Sequence, residues 1–110
     1  PTGELLSMTS VPTYILILLT CTVIGYHEEL FFRAYLLTDF IDSGGKLMTV
    51  LAGSLLFAAG HIYQGAAGFI GTFAIGLFLS FRYLRRRSLH EVALAHALYN
   101  FSAVLFLLHL

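Results

Sequence analysis

Residues 11–40 read VPTYILILLTCTVIGYHEELFFRAYLLTDF, and the fold turns on how His27, Glu28 and Glu29 within that stretch are taken. The apolar run from Val11 to Tyr26 is sixteen residues long, whereas a helix needs about 20 to cross hydrocarbon. Apolar character resumes at Leu30 and lasts to Leu37. The acidic pair is therefore embedded in one long helix, expected over 13–41, and does not separate two segments. Thr9 and Ser10 before Pro12 supply an N-cap and a first-turn proline. Asp39, Asp42 and the Gly44, Gly45 pair close the helix.

Working outward, a second helix is expected over 47–63, a turn at Gln64 to Gly68, and a third helix over 69–84. Gly68, Thr72, Gly76 and Ser80 recur every four residues on the third, a stripe of small side chains against which a neighbouring backbone can pack closely. Ser88 and Glu91 have capping-box spacing and open a fourth helix that continues to Leu110. The fold class expected is all-α: a polytopic transmembrane helix bundle of about four spanning helices, forming a single core over 1–110. The chain opens at Pro1 without a methionine and leads into a spanning segment, so a fragment of a longer membrane protein is expected.

Composition points the same way. Hydrophobic residues make up 58% and charged residues 11% of the chain, with a mean hydropathy of +0.85, too few polar side chains to coat a soluble domain of this size. Membrane lipid is the expected surrounding partner. Formal net charge is zero, which gives no basis for nucleic acid as a partner. Arg82, Arg85, Arg86 and Arg87 cluster beside a span end, with Lys46 on the same side if the helices alternate. Such clusters fix topology, so the arginine loop 82–87 is expected to be cytoplasmic and the protein an integral, multi-pass one. Cys21 is the single cysteine, which excludes an intrachain disulfide and any CxxC motif.

Ionisable residues inside spans carry the chemistry, because each costs at least about 2.5–3.5 kcal/mol to insert. Glu29 and Arg33 stand four apart and can pair on one helix face, leaving Glu28 free to point elsewhere. Phe57 and His61 repeat the spacing on the second helix, and His96 and Asn100 on the fourth. At about 1.5 Å per residue, Glu28, His61, His96 and Asn100 lie roughly 20, 21, 12 and 18 Å from the arginine side, depths that overlap without proving convergence. A carboxylate beside an imidazole can hold a water and take its proton, parts that Glu28 and His61 fit. An imidazole and a carboxamide can donate to a developing oxyanion, a part that His96 and Asn100 fit. The set permits amide hydrolysis with water as nucleophile. Cys21 and Ser54 read as packing residues. Glu28, His61 and His96 are also acceptable zinc ligands, so a divalent metal such as zinc stays open, although no H-E-x-x-H string is present. His27, His90 and His109 read as surface or interfacial.

Three motifs resemble those of the CPBP family of intramembrane proteases, which includes CAAX prenyl endopeptidases and bacteriocin-processing or self-immunity proteins. HEELFFRAYLL resembles the family's E-E-x-x-x-R, FAAGH its F-x-x-x-H and HALYN its H-x-x-x-N, in that order on three apolar segments. The resemblance implies an intramembrane endopeptidase in which Glu28 and His61 position the water, His96 and Asn100 stabilise the oxyanion, and Glu29 with Arg33 supports the site. It implies a peptide or prenylated-protein substrate. Ala34 and His90 depart from residues common in the family, outside the proposed chemistry, and members usually have additional spanning helices. The competing function is a non-proteolytic membrane binding or self-immunity protein on the same scaffold, whose signature is a damaged motif. An ion or proton carrier also uses buried carboxylates and histidines, but needs no His96, Asn100 pair.

Overall fold

The computed structural model describes residues 10–109, and every regular element among them is helical. Helix α1 runs unbroken over Val11–Gly44, α2 over Lys46–Ala59, α3 over Gly65–Arg86 and α4 over Leu89–Leu108. His27, Glu28 and Glu29 are thus embedded in a continuous helix, as their apolar flanks require. Ser10 occupies the N-cap position with extended backbone, its hydroxyl 3.2 Å from that of Thr13, and Pro12 lies in the first turn. Thr9, the other expected capping residue, lies outside the described residues.

Two features of the helices depart from the expected pattern. The first is that α1 is π-helical over Leu30–Leu37, where the backbone ladder widens to i→i+5. The second is that α2 ends at Ala59, four residues before Tyr63. The amide of His61 bonds back to Ala58 at 2.9 Å, and the chain tightens into a 3-10 turn at Ile62–Gln64. Gly65, at φ +85°, then lets α3 begin at once, so the expected turn at Gln64 to Gly68 is largely the first turn of α3. With 14 residues, α2 is about 21 Å long, short of a hydrocarbon core of about 30 Å. Among the described residues three helices are long and apolar enough to cross a membrane, and α2 is a shorter apolar helix beside them.

Packing is by antiparallel pairs. Tyr14 near the start of α1 meets His109 beyond the end of α4 at 3.1 Å, and Tyr26 meets His90 at the start of α4 at 2.7 Å. His90 and His109, read from sequence as surface or interfacial, are both exposed. Between the two contacts Gly25 lets the backbones close: a Cβ there would lie 3.0 Å from the Ala93 carbonyl oxygen. On the other side α2 packs on α3, where Thr72, Gly76 and Ser80 are buried and Gly76 faces Ser54 and Phe57. From Thr72 to Ser80 the small-residue stripe is a packing face, whereas Gly68 is half-buried and a Cβ there would meet only the Gln64 side chain. Lys46 at the start of α2 lies 5.9 Å from the Phe81 ring at the end of α3, which puts it on the side of the arginine loop. There Ser88 caps α4 by accepting from the Glu91 amide at 3.2 Å, and Glu91 pairs with Arg82 and Arg86.

Leu16, Val23, Ile70 and Phe106 are each about two-thirds exposed. Such exposure of large apolar side chains accords with helices long and apolar enough to cross a membrane.

Candidate active site

The buried centre of the molecule is polar. Glu29 and Arg33 on α1 and His96 on α4 are each at most 1% exposed. Charges so deep persist only when paired and hydrogen-bonded; here Glu29 Oε2 and both terminal nitrogens of Arg33 are engaged, while Glu29 Oε1 and Arg33 Nε have no hydrogen-bond partner among the described residues. Glu29 Oε2 accepts from Arg33 Nη1 at 2.9 Å and from His96 Nδ1 at 2.8 Å. The pairing four apart that the spacing predicts is present, and it is extended across the bundle to α4. Arg33 Nη2 donates in turn to the main-chain oxygen of Gly76 on α3 at 2.8 Å.

The fourth wall is aromatic. The Phe57 ring on α2 lies under the Arg33 guanidinium at 4.9 Å, edge-on to His96 with centroids 5.4 Å apart, and against His61 at 5.1 Å. A cation over a ring face gains electrostatically in a dry site. One ring therefore contacts both histidines and the guanidinium. His61 is half-buried just past the end of α2, its Nδ1 donating to the Phe57 carbonyl at 3.0 Å, which leaves Nε2 without a hydrogen-bond partner among the described residues.

Glu28 and Asn100 are half-buried and neither makes a side-chain hydrogen bond among the described residues. Each neighbours the buried cluster along its own helix: Glu28 directly precedes Glu29, and Asn100 follows His96 by one turn. Glu28 is near enough to Arg33 for an electrostatic interaction. Of the six residues singled out from sequence, Glu29, Arg33 and His96 are directly bonded, His61 joins them through Phe57, and Glu28 and Asn100 stand at the edge. Arg33 also borders a cavity of about 310 Å³ between α1 and α2, lined by Phe32, Leu36, Phe40, Met48 and Leu56 among others.

No three His, Cys, Asp or Glu side chains among the described residues gather closely enough to hold a metal ion. Glu28, His61 and His96 thus do not form a ready donor set. Cys21 and Ser54 are buried as packing residues. Two parts of the site had no sign in the sequence reading: the Gly76 carbonyl that anchors Arg33, and the contact of His96 with Glu29.

Helices long and apolar enough to cross a membrane, packed around a bonded carboxylate, guanidinium and imidazole, have the makings of a membrane protein with a buried polar functional site. A family model described as Type II CAAX prenyl endopeptidase Rce1-like matches residues 10–102, and the chain belongs to this family of intramembrane proteases. No curated protein and no solved structure matches it.

Proposed function

We propose that this chain carries an intramembrane endopeptidase site that hydrolyses a peptide bond in a membrane-associated peptide or prenylated protein, with a water activated by Glu28 and His61. The observation that carries this reading is the 2.8 Å contact of Glu29 with His96. It brings Glu29 of α1 and His96 of α4 together, with His61 against the same Phe57 ring that contacts His96. Glu29 is committed to Arg33 and His96, whereas Glu28 has no such partner and is the carboxylate free to act as base.

The water oxygen attacks the carbonyl carbon while Glu28 takes its proton, and His61 holds the water through the free Nε2. The charge that develops on the carbonyl oxygen is met by His96 and Asn100. Collapse of the tetrahedral intermediate breaks the C–N bond, and the proton held by Glu28 passes to the leaving nitrogen. In this reading the arginine loop 82–87 and Lys46 face the cytoplasm.

The test is cleavage of a membrane-peptide library by the full-length protein and its Glu28→Gln variant in liposomes, with and without a chelator. Cleavage by the parent alone is expected, with the variant folded and inserted. No cleavage by the parent, together with peptide binding that survives Glu28→Gln, would replace this reading with a binding or self-immunity protein.

A further inference from the structure

The contact between Glu29 and His96 fixes more than distance. A carboxylate can only accept, so the hydrogen of the 2.8 Å bond belongs to His96 Nδ1. In a neutral imidazole one nitrogen carries the proton and the other is bare. We infer that Glu29 is a positioning residue that holds His96 as the Nδ1–H form, with Nε2 the ring atom turned to substrate. This rests on the hydrolytic reading of the site.

The surroundings leave the ring little choice. His96 is 1% exposed and Glu29 is fully buried, so water cannot replace the carboxylate as partner. The Phe57 ring stands edge-on to the imidazole, which opposes rotation about its axis. Glu29 is itself anchored, since Oε2 also accepts from Arg33 and Arg33 is tied to the Gly76 backbone. Residues of all four helices, Glu29 and Arg33, Phe57, Gly76 and His96, thus bear on the placement of one proton.

The consequence concerns the oxyanion. With Nδ1 donating to Glu29, a neutral His96 presents a lone pair at Nε2 and cannot donate to a carbonyl oxygen there. It donates only as an imidazolium, whose charge the adjacent Glu29 carboxylate offsets. Asn100 donates without any such condition. The two residues therefore play unequal parts: Asn100 is a permanent donor, and His96 is a donor that must first gain a proton at Nε2. His61 is oriented in the same sense, Nδ1 engaged and Nε2 free, but by a neutral carbonyl in place of a carboxylate.

The experiment is ring-nitrogen NMR of the full-length protein labelled with ¹⁵N-histidine in lipid nanodiscs, with the His96 signals assigned by their loss in His96→Gln. Nδ1 of His96 is expected to carry a proton in the parent, and a bare Nδ1 there would overturn the inference. The partner measurement uses Glu29→Met with Arg33→Met, which removes acceptor and counter-ion together. Replacing a whole buried pair by apolar residues of similar volume is frequently tolerated. In the double variant Nδ1 should lose its proton, and kcat should fall by about 10- to 100-fold, as for other lost imidazole partners, with KM unchanged. A folded double variant that keeps both the Nδ1 proton and kcat would make the pair merely structural. If the double variant does not fold, the parent spectrum alone decides. A parent that cleaves no peptide counts against the hydrolytic reading, while its spectrum still decides the placement of the proton.

Discussion

Arg33 on α1 donates to the carbonyl of Gly76 on α3 at 2.8 Å while its other terminal nitrogen holds Glu29 at 2.9 Å. A side chain 1% exposed thus links a carboxylate on its own helix to the backbone of another. Gly76 also lies where α2 approaches closely, since a Cβ there would sit 3.2 Å from the Phe57 ring and 3.3 Å from Ser54.

Removing one partner of this assembly should be costly. Arg33→Met leaves Glu29 charged, buried and bonded only to His96, and breaking a buried pair in this way costs about 3–5 kcal/mol. The melting temperature in detergent should fall markedly. Glu29→Met with Arg33→Met should be less damaging than Arg33→Met alone, since no orphaned charge remains. Equal melting temperatures for parent and Arg33→Met would mean that the pair does not hold the fold.

Gly25 provides a test of how closely α1 and α4 must pack. In Gly25→Ala the new Cβ would meet Ala93 O at 3.0 Å and Ala97 N at 3.2 Å. All the near atoms are backbone, so the helices must separate. Overpacking of this kind costs about 1–3 kcal/mol, and a separation would also stretch the bond between Glu29 and His96. Gly53→Ala is the control, with nothing within 4 Å of its Cβ, and should stabilise α2 by about 0.5–1 kcal/mol. The two variants should shift thermal stability in opposite directions, and a common direction would count against the close crossing.

The loop that joins α3 to α4 makes a smaller prediction. Ser88 Oγ caps the Glu91 amide at 3.2 Å, and Ser88→Ala should cost about 0.5–2 kcal/mol. Arg82 and Arg86 would keep their pairing with Glu91, so the loss should appear as fraying of the first turn of α4 in hydrogen exchange. Unchanged exchange at Glu91 would mean that the arginines, not the cap, hold that turn.

How much of this could be read from the chain depended on whether the information was local. Glu29 with Arg33 and Ser88 with Glu91 are relations along one helix or at its end, and their spacing states them. The bond between Glu29 and His96 depends on how two helices are rotated about their axes, which no periodicity records in helices apolar nearly all round. Axial distances from the arginine side would have set Glu28 and His96 apart by roughly 8 Å. The helices do not end in a common plane: Thr38–Gly44 at the end of α1 packs on α2, so α1 has turns to spare beyond the site. The π-helical stretch Leu30–Leu37 was equally hidden, because widening the ladder leaves hydropathy unchanged. Gly76 was legible as a packing residue, but its carbonyl was not legible as a ligand for Arg33.

Asn100 separates function from stability most cleanly. Its side chain is half-buried and makes no hydrogen bond among the described residues, so Asn100→Ala breaks nothing in the fold and leaves no partner orphaned. Thermal stability should stay within about 0.5 kcal/mol of the parent, as for substitutions away from special features. If Asn100 donates to the oxyanion, turnover should nevertheless fall by about 10²- to 10³-fold, the effect of losing one such donor, while substrate binding is retained. The loss should lie in kcat, because the hydrogen bond strengthens only as charge develops in the transition state. An unchanged kcat in a folded Asn100→Ala protein would leave the oxyanion to His96 alone, which the bond to Glu29 permits only in its doubly protonated form.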